Sequence, residues 1–510
     1  MVKLLILLIF STFVSAKYLT YQEVHSLPKG VEKDYYIWRF ITQKSTSKAQ
    51  AVKIIKEASR INPTLRKAYK KKTGLNPPKL YVKRYSKNKT DRDYARKKAL
   101  TIQILKSQNP KEAWLSQPES LQVFIFNHSS KAARAKFDYT PTISQWQKLT
   151  KQKGINRFIR YVRRENLPKL KRALFFPPSK YNKINYSNLM RLGFLNLYRN
   201  SKRVAEYDFA LASIKATKKE QADRALFWAW MVSKKRKYLK KLAKSYSINI
   251  YSLAGRDALG LKYDLGVTPK LPKGRVKGFD IKNPIHWSKL KRKIFSKNTN
   301  LYALADRFKV DETVGVYSYI MAKATKHKVE YFPMPYRDYL SKLPIKRQAI
   351  IYAIARQESK FVPSAISSSF ALGMMQIMPF LVKHLAKQKG ELIDYDDMFN
   401  PYRALDYANT HLNYLTKWLH HPLFVAYAYN AGIGYTRRLI TRGDFFHSDK
   451  NYEPWLSLER ISNYQANDYG KKVLANYVIY LNKLGYHIRL SDLVNSLTNK
   501  DLTDEFRKRK

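Results

Sequence analysis

Residues 350–361 read Ile-Ile-Tyr-Ala-Ile-Ala-Arg-Gln-Glu-Ser-Lys-Phe, and this stretch decides how the rest of the chain is interpreted. Pro344 can open a helix here, because a proline at the first helical position loses no intrahelical hydrogen bond. At 100° per residue, the isoleucines of the run and Phe361 share one apolar stripe, and Glu358 lies within that stripe. The sequence therefore predicts a helix that buries a carboxylic acid near its C-terminal end.

An acid in this position should have a raised pKa for two reasons. Burial disfavours the ionised form of Glu358, and a negative charge near a helix C-terminus is disfavoured by the macrodipole. A carboxylic acid that stays protonated near neutral pH can act as a general acid. A lone glutamate at a helix end more often extends into solvent, so the residues downstream must decide between the two interpretations.

Three further motifs follow the glutamate, and each has a plain structural explanation when taken alone. A methionine-rich run would most often fill a core, a helix can simply end in a left-handed glycine, and a single glutamate is most often solvated. The motifs are Gly-Met-Met-Gln-Ile-Met-Pro at Gly373–Pro379, Ala-Tyr-Asn-Ala-Gly at Ala428–Gly432, and Leu-Glu-Arg-Ile-Ser at Leu458–Ser462, the last leading into Tyr469.

Together and in this order, the four motifs resemble the catalytic domain of the soluble lytic transglycosylases, which are goose-lysozyme-like enzymes that cleave peptidoglycan. The resemblance covers about residues 330–485. It implies that Glu358 is the sole catalytic acid and base, and that Ser359 positions the substrate or its reacting acetamido group by hydrogen bonding. No metal and no cofactor is expected for such an enzyme.

The resemblance also implies a set of glycan-binding residues. Tyr429 and Asn430 would lie across from the acid, and Glu459 would form part of the saccharide-binding floor. The residues expected to bind the glycan are Ser359, Met375, Gln376, Met378, Tyr429, Asn430 and Glu459. The chain departs from the family where Ser462, Gln465 and Asn467 replace proline, glutamate and arginine. These departures put in doubt any salt bridge that would brace Glu459.

The chemistry implied by the resemblance needs one carboxylate. The acid protonates the glycosidic oxygen, and the resulting carboxylate takes a proton from the C6 hydroxyl of the same N-acetylmuramic acid, which attacks C1 and leaves a 1,6-anhydro end. Ordinary glycosidases use two carboxylates. The nearby acids Asp394, Asp396 and Asp397 are predicted to serve turns and caps instead. Spacing alone leaves two alternatives open: a hydrolytic lysozyme on the same fold, and a non-catalytic wall-binding scaffold.

The first sixteen residues, Met1–Ala16, are typical of a cleaved secretory signal peptide. Lys3 precedes an apolar run that is too short to cross a bilayer, and small residues close the segment. We therefore expect a periplasmic protein without a membrane span. The chain has no cysteine, which excludes disulfides, zinc held by cysteine, and a lipidated N-terminal cysteine.

The chain is strongly basic, with 98 Lys and Arg against 37 Asp and Glu and a net charge of +61. Such a charge first suggests nucleic acid, but no nucleic-acid motif is found and export argues against that partner. Peptidoglycan is anionic through its peptide carboxylates, so a basic surface would hold the protein on its glycan strands. Proteins of cell-wall synthesis are further possible partners. The alternative is that the charge reflects lysine-rich, solvated helix faces.

Repeated amphipathic helical patterns predict an all-α fold in three parts after the signal peptide. Residues 17–264 should form an irregular N-terminal helical superhelix, and residues 265–329 a small helical linker domain. Residues 330–510 should form a lysozyme-like catalytic domain that folds when expressed alone. In the enzymes that the chain resembles, the first two parts form a ring onto which the catalytic domain docks.

Overall fold

The structure is a computed structural model that describes residues 18–78, 92–442 and 444–508. Within these ranges the regular structure is helical, and extended pairing is limited to isolated β-bridges. The prediction of an all-α fold is confirmed. None of the helices in the described ranges is long and apolar enough to span a bilayer. The predicted signal peptide, Met1–Ala16, lies outside the described residues.

The described chain forms two compact units. The first contains residues 18–78 together with residues 264–508, and the second contains residues 92–263. The segment that carries the four motifs therefore shares a unit with the linker region and with the N-terminal helices. The three-part division after the signal peptide stays a prediction, since the compact units divide the chain at other places.

The N-terminal part of the first unit consists of short helices that begin at capping side chains. Thr20, Ser47 and Asn62 each accept a hydrogen bond from a backbone N–H of the following turn, which satisfies a donor that the helix itself leaves free. The helices are α1 (Tyr21–Ser26), α2 (Val31–Thr42), α3 (Lys48–Ile54), the 3-10 turn η1 (Ile55–Glu57) and α4 (Pro63–Thr73).

The second unit is a succession of helices around an aromatic core. Trp114, Trp146 and Trp228 are fully buried in it, and large rings of this kind supply most of the apolar area that such short helices can bury. The helices are α5 (Arg92–Lys106), α6 (Pro110–Leu115), α7 (Glu119–His128), α8 (Lys131–Ala135), α9 (Ile143–Thr150), α10 (Ile155–Arg164), α11 (Pro168–Ala173), α12 (Tyr186–Tyr198), α13 (Lys202–Lys215), α14 (Lys219–Ser233), α15 (Arg236–Ala243) and α16 (Ile250–Asp257).

The C-terminal part of the first unit begins with the linker helices and continues through the motifs. Prolines stand at the first position of several helices, where they cost no hydrogen bond. The helices are α17 (Pro284–Phe295), α18 (Leu301–Asp306), η2 (Asp311–Thr313), α19 (Val314–Ala324), α20 (Arg337–Leu340), α21 (Ile345–Glu358), α22 (Pro379–Lys389), η3 (Tyr395–Phe399), α23 (Pro401–Thr416), α24 (Pro422–Ala431), α25 (Ile433–Thr441), α26 (Trp455–Arg460), α27 (Tyr464–Lys483), α28 (Leu490–Ser496), α29 (Lys500–Thr503) and α30 (Glu505–Lys508).

Helix α2 is joined to η3 by a buried ionic cluster. The Arg39 guanidinium donates to both carboxylate oxygens of Asp394, at 2.7 and 2.9 Å, and to Asp396 Oδ1 at 2.7 Å. The hydroxyls of Tyr35 and Tyr36 also donate to Asp396, at 2.7 and 3.2 Å. Because Arg39 is buried, these bonds are shielded from water and hold α2 firmly against η3.

Two further contacts join the N-terminal helices to the loop before the methionine-rich motif. Trp38 stacks on Phe370 with ring centroids 5.7 Å apart, and Asn62 Nδ2 donates to the Ser368 carbonyl at 2.9 Å. A fragment of residues 330–510 would lack all these partners. The independent folding of that fragment stays a prediction, and the fragment would have to fold without these contacts.

The acidic cluster in this region is only partly explained by capping. Asp394 caps η3 and forms a capping box with Asp397, as the sequence predicts. Asp396, by contrast, is an ion-pair partner of Arg39. Periodicity could not reveal this role, since the two residues are 357 positions apart in the chain.

Candidate active site

Glu358 is the last residue of α21, and its side chain is half-buried. Burial raises the pKa of the Glu358 carboxyl to about 7, against an opposing hydrogen bond from the Tyr469 hydroxyl to Oε1 at 2.8 Å. The prediction of a raised pKa is confirmed, with desolvation as its main cause. Near neutral pH both the protonated and the ionised form are well populated, so this group can give and recover a proton.

The turn that follows Glu358 is held in an unusual conformation. Lys360 and Phe361 both have left-handed backbones, with φ of 56° and 64°. Two consecutive non-glycine residues there store strain that surrounding contacts must maintain. Helix α19 supplies one such contact. Its Gly315 lies so close to the Phe361 carbonyl that a Cβ at this position would collide with it. The next residue, Val362, is part of the apolar core of α17, α18 and α19, so the linker helices fix the turn.

Ser359 joins the end of α21 to the methionine-rich motif. Its buried hydroxyl donates to the Met374 carbonyl at 2.8 Å. Gly373, one residue earlier, has φ of 71°, and a Cβ there would collide with the Met398 carbonyl of η3. Glycine is therefore required at this position, and the loop is confined between α21 and η3.

The three predicted cleft residues of the motif occupy different environments. The Met375 side chain is fully buried, and its carbonyl accepts a hydrogen bond from the Tyr429 hydroxyl at 2.8 Å. Gln376 is half-buried and donates from Nε2 to the carbonyls of Ala365 and Gly373, at 3.1 and 2.8 Å. Met378 is half-buried at the start of α22. Gln376 and Met378 are thus partly exposed, whereas Met375 contacts Tyr429 through its backbone carbonyl.

Tyr429 and Asn430 lie in the last turn of α24, whose end is marked by Gly432. Tyr429 lies close to Glu358, since burial and the negative charge of that residue both raise the pKa of the Tyr429 phenol. Asn430 is half-buried, and its side chain has no hydrogen-bond partner among the described residues. The structure therefore brings Tyr429 near the acid, and the Asn430 amide makes no hydrogen bond to another described residue.

Tyr469 contacts Glu358, although the sequence motifs gave it no role. It is buried on α27, which packs along α21, and it makes the only direct side-chain hydrogen bond to Glu358 among the described residues. Asn476, two turns further along α27, accepts from Arg356 of α21. The seven-residue spacing of Tyr469 and Asn476 places both on one helix face, and this was the signal that could have found Tyr469.

The side chain of Glu459 is almost fully buried, although it was expected to form part of the saccharide-binding floor. Only 3% of its side chain is exposed, and its carboxylate lies 3.7 Å from the Lys471 ammonium. Lys471 of α27 therefore forms an ion pair with Glu459. Glu459 thus has a cationic partner even though Ser462, Gln465 and Asn467 replace the residues usual in the family. Asn467, one of those departures, instead bonds the Leu458 carbonyl and accepts from the Tyr427 hydroxyl.

Comparison with known proteins agrees with this geometry. The family model described as a transglycosylase SLT domain matches residues 342–451, which include Glu358, the methionine-rich motif and Tyr429. This segment is therefore similar to the transglycosylase SLT domain. The resemblance to the soluble lytic transglycosylases that the motifs indicated is thereby confirmed.

Named relatives match this chain over part of their length. A putative soluble lytic murein transglycosylase of Haemophilus influenzae is 30% identical over 206 residues, which make up 37% of this chain and 32% of that protein. The soluble lytic murein transglycosylase of Escherichia coli strain K12 is 28% identical over 179 residues, 33% of this chain and 26% of that protein. The match thus covers less than a third of the length of each of these relatives.

A solved structure aligns over a longer range. The crystal structure of the 70 kDa soluble lytic transglycosylase of Escherichia coli covers 94% of this chain and 90% of its own, with 16% identity and a TM-score of 0.44.

Proposed function

We propose that this protein is a periplasmic lytic transglycosylase of peptidoglycan. It would cleave the β-1,4 bond between N-acetylmuramic acid and N-acetylglucosamine and leave 1,6-anhydromuramoyl ends. The observation that carries the proposal is Glu358, a half-buried acid with a pKa of about 7. Its direct hydrogen-bond partner is a tyrosine hydroxyl rather than a second carboxylate. This arrangement supports chemistry with a single acid and base.

The proposed reaction uses one proton twice. The protonated Glu358 carboxyl donates its proton to the glycosidic oxygen, and the bond from C1 of N-acetylmuramic acid to that oxygen breaks. The resulting carboxylate then accepts the C6 hydroxyl proton of the same sugar, and O6 forms a bond to C1. Glu358 ends protonated as it began, and no water is consumed. Tyr469 donates to Oε1, so it directs the transferable proton to Oε2 and stabilises the carboxylate between the steps.

The other residues have proposed roles that follow their contacts. Oε1 of Gln376 accepts no hydrogen bond from a described residue, and the Asn430 side-chain amide makes none with a described residue. Both groups are therefore proposed to bind sugar hydroxyl or acetamido groups. Met378 would give these groups an apolar neighbour. For Ser359 and Met375 we propose a supporting role, because they hold the loop to α21 and to Tyr429. Buried Glu459 would support the site through Lys471.

The mass of the products tests the proposal. Purified full-length protein incubated with peptidoglycan should release muropeptides with 1,6-anhydro ends, which are lighter by one water than the products of hydrolysis. Mass spectrometry separates the two. Release of reducing ends instead would favour the hydrolytic lysozyme on the same fold, and no release by folded protein would favour a non-catalytic wall-binding scaffold.

Tyr469→Phe is expected to move the pH dependence of cleavage. Loss of the hydrogen bond removes the interaction that lowers the pKa of Glu358, so the pKa rises further above its present value of about 7. The rate should fall about tenfold in the acidic range, since a hydrogen bond to a charged group contributes roughly 1.5 kcal/mol or more. In the plot of cleavage rate against pH, the fall in rate on the alkaline side should move to higher pH. Initial rates measured from pH 5 to 9 test both effects.

Tyr429→Phe is the matched control for this experiment. Its hydroxyl donates to the Met375 carbonyl and not to Glu358, so its loss can lower the rate without moving the alkaline fall in rate to higher pH. If both variants shift this fall equally, or if neither does, the assigned role of Tyr469 is incorrect.

A further inference from the structure

Helix α10 of the second unit presents a row of arginines on one side. Its apolar residues are buried, while its basic residues are exposed or half-buried on the opposite side. The buried residues are Ile155, Phe158, Ile159 and Val162, and the basic residues are Arg157, Arg160, Arg163 and Arg164. The helix therefore has one apolar face in the core and one basic face toward solvent.

Helix α12 brings another arginine to this row. Asn156, in the first turn of α10, accepts from the Asn185 backbone N–H at 2.9 Å and from Asn188 Nδ2 at 3.0 Å. These bonds fix the start of α12 against the start of α10. Arg191 lies one turn beyond Asn188, and it is close enough to Arg163 of α10 for its positive charge to lower the pKa of Arg163.

No acid of the described residues neutralises this group of arginines. The guanidinium groups of Arg163 and Arg164 have no hydrogen bond or ion pair there, and Arg191 contacts only the neutral Asn188, at 3.4 Å. The nearest acid along the chain, Glu165, is bound to Arg134, with Arg134 Nε 2.8 Å from Oε2. Burial and repulsion from Arg191 and Arg164 both lower the pKa of Arg163. These arginines therefore lie close together without a carboxylate partner among the described residues. A bound anion would reduce the repulsion between their positive charges.

We propose that Arg163, Arg164 and Arg191 form an anion site that binds the carboxylate groups of peptidoglycan peptide stems. Guanidinium groups bind planar oxyanions through paired hydrogen bonds, and a half-buried one does so with less competition from water. The choice of carboxylate over phosphate rests on the proposed function, whose substrate carries free carboxylates along each strand. The site lies in the second compact unit and belongs to none of the motif segments, so it would retain substrate rather than cleave it.

The test measures binding of the full-length protein to purified, insoluble peptidoglycan. The Glu358→Gln substitution is present throughout so that the polymer is not consumed. Arg163→Gln combined with Arg191→Gln should weaken binding to native peptidoglycan at least fivefold, an estimate of about 1 kcal/mol from two charge-assisted contacts. With peptidoglycan whose carboxylates have been converted to amides, the same pair should have no effect. Co-sedimentation at low salt gives both affinities.

The matched control removes the same charge elsewhere in the unit. Arg203→Gln combined with Arg236→Gln changes two exposed arginines on α13 and α15, and should weaken binding less than twofold, a loss of under about 0.4 kcal/mol. Equal losses for the two pairs would mean that only overall charge matters, and would overturn the site. An equal loss on amidated peptidoglycan, or a larger loss for double-stranded DNA or vesicles of anionic phospholipid, would overturn the assignment to carboxylates.

The experiments can distinguish an error in the proposed anion site from an error in the proposed function. With Glu358 intact, the arginine pair should leave the rate on short soluble muropeptide chains unchanged. If the unsubstituted protein forms no anhydro product while the binding pattern holds, the proposed function fails and the carboxylate site stands. If product forms but the two arginine pairs behave alike, the site fails and the proposed function stands.

Discussion

Glu358→Gln is expected to abolish glycan cleavage while the protein stays folded. The amide keeps the shape of the side chain and can still accept from Tyr469, but it can neither donate nor recover a proton. General acid and base catalysis contributes roughly 10²–10⁴-fold, and one residue is proposed to provide both. We therefore expect a loss at or beyond the upper end of that range, measured as anhydromuropeptides released per unit time by mass spectrometry.

Asp397→Asn is the control for this experiment. Asp397 accepts one capping hydrogen bond, from the Asp394 N–H at 2.9 Å, and the amide oxygen of asparagine can replace it. Its activity should stay within a few-fold of the unsubstituted protein. A folded Glu358→Gln protein that keeps more than about a tenth of the rate, an effect far below the usual acid–base contribution, would assign the catalytic role to another group.

The same substitution should change how stability depends on pH. The pKa of Glu358 is about 7 in the folded protein against an ordinary value of 4.5. Because the folded value is the higher one, the stability due to the neutral acid is fully present below pH 4.5 and is lost as pH rises through 7. Glutamine has no such loss. The variant should therefore gain stability relative to the unsubstituted protein as pH rises, by at most about 3 kcal/mol at pH 9.

Denaturation of both proteins by urea at pH 4.5 and pH 9, read from the unfolding transition of the unit that contains Glu358, tests this linkage. The difference in the free energy of unfolding should be small at the lower pH and largest at the higher pH. A difference that does not change with pH would contradict the raised pKa, although Glu358 could still be required for catalysis.

Much of the site could be predicted because its residues lie on strongly patterned elements. The period of the helix around Ile350 placed Glu358 among apolar neighbours, and the structure ends α21 at that residue. The order of the motifs indicated the family. A motif does not state which atoms of a residue meet the cleft, however. Met375 and Glu459 were expected to touch glycan, yet both side chains are buried.

Contacts between distant parts of the chain could not be read from the sequence. Tyr469 reaches Glu358 only because α27 packs along α21, and Lys471 reaches Glu459 from the same helix. Arg39 and Asp394 are 355 positions apart, and each belongs to a local pattern that is complete without the other. Arg39 lies on α2, which carries the acids Glu32 and Asp34 of its own, and Asp394 caps η3. Only the folded chain shows that one neutralises the other.

Arg39→Met is expected to be the most destabilising single substitution among those considered, because it leaves two carboxylates without their cation. Both Arg39 and Asp394 have less than a tenth of their side chains exposed, so water cannot replace the lost partner. Removal of one member of a buried ion pair typically costs about 3–5 kcal/mol. The effect should extend to the active site, because η3 confines Gly373 and thereby the loop that bonds to Ser359 and Tyr429.

Hydrogen exchange followed by mass spectrometry can localise the loss. Because the chain has two compact units, a single melting temperature would not report on either one. Peptides from η3 and from the loop of residues 365–377 should exchange faster in Arg39→Met, while peptides from residues 92–263 should not change. Arg403→Met removes a more exposed ion pair with Glu391, and it should cost less than about 1 kcal/mol.

The full cluster gives the decisive comparison. Arg39→Met combined with Asp394→Asn and Asp396→Asn removes the buried charges together with their cation, so it should recover a large part of the stability lost by Arg39→Met alone. If the triple variant is no more stable than the single one, the loss comes from packing of the long arginine side chain rather than from unpaired carboxylates. If Arg39→Met costs no more than Arg403→Met, the ion pairs between α2 and η3 do not stabilise the segment that carries the motifs.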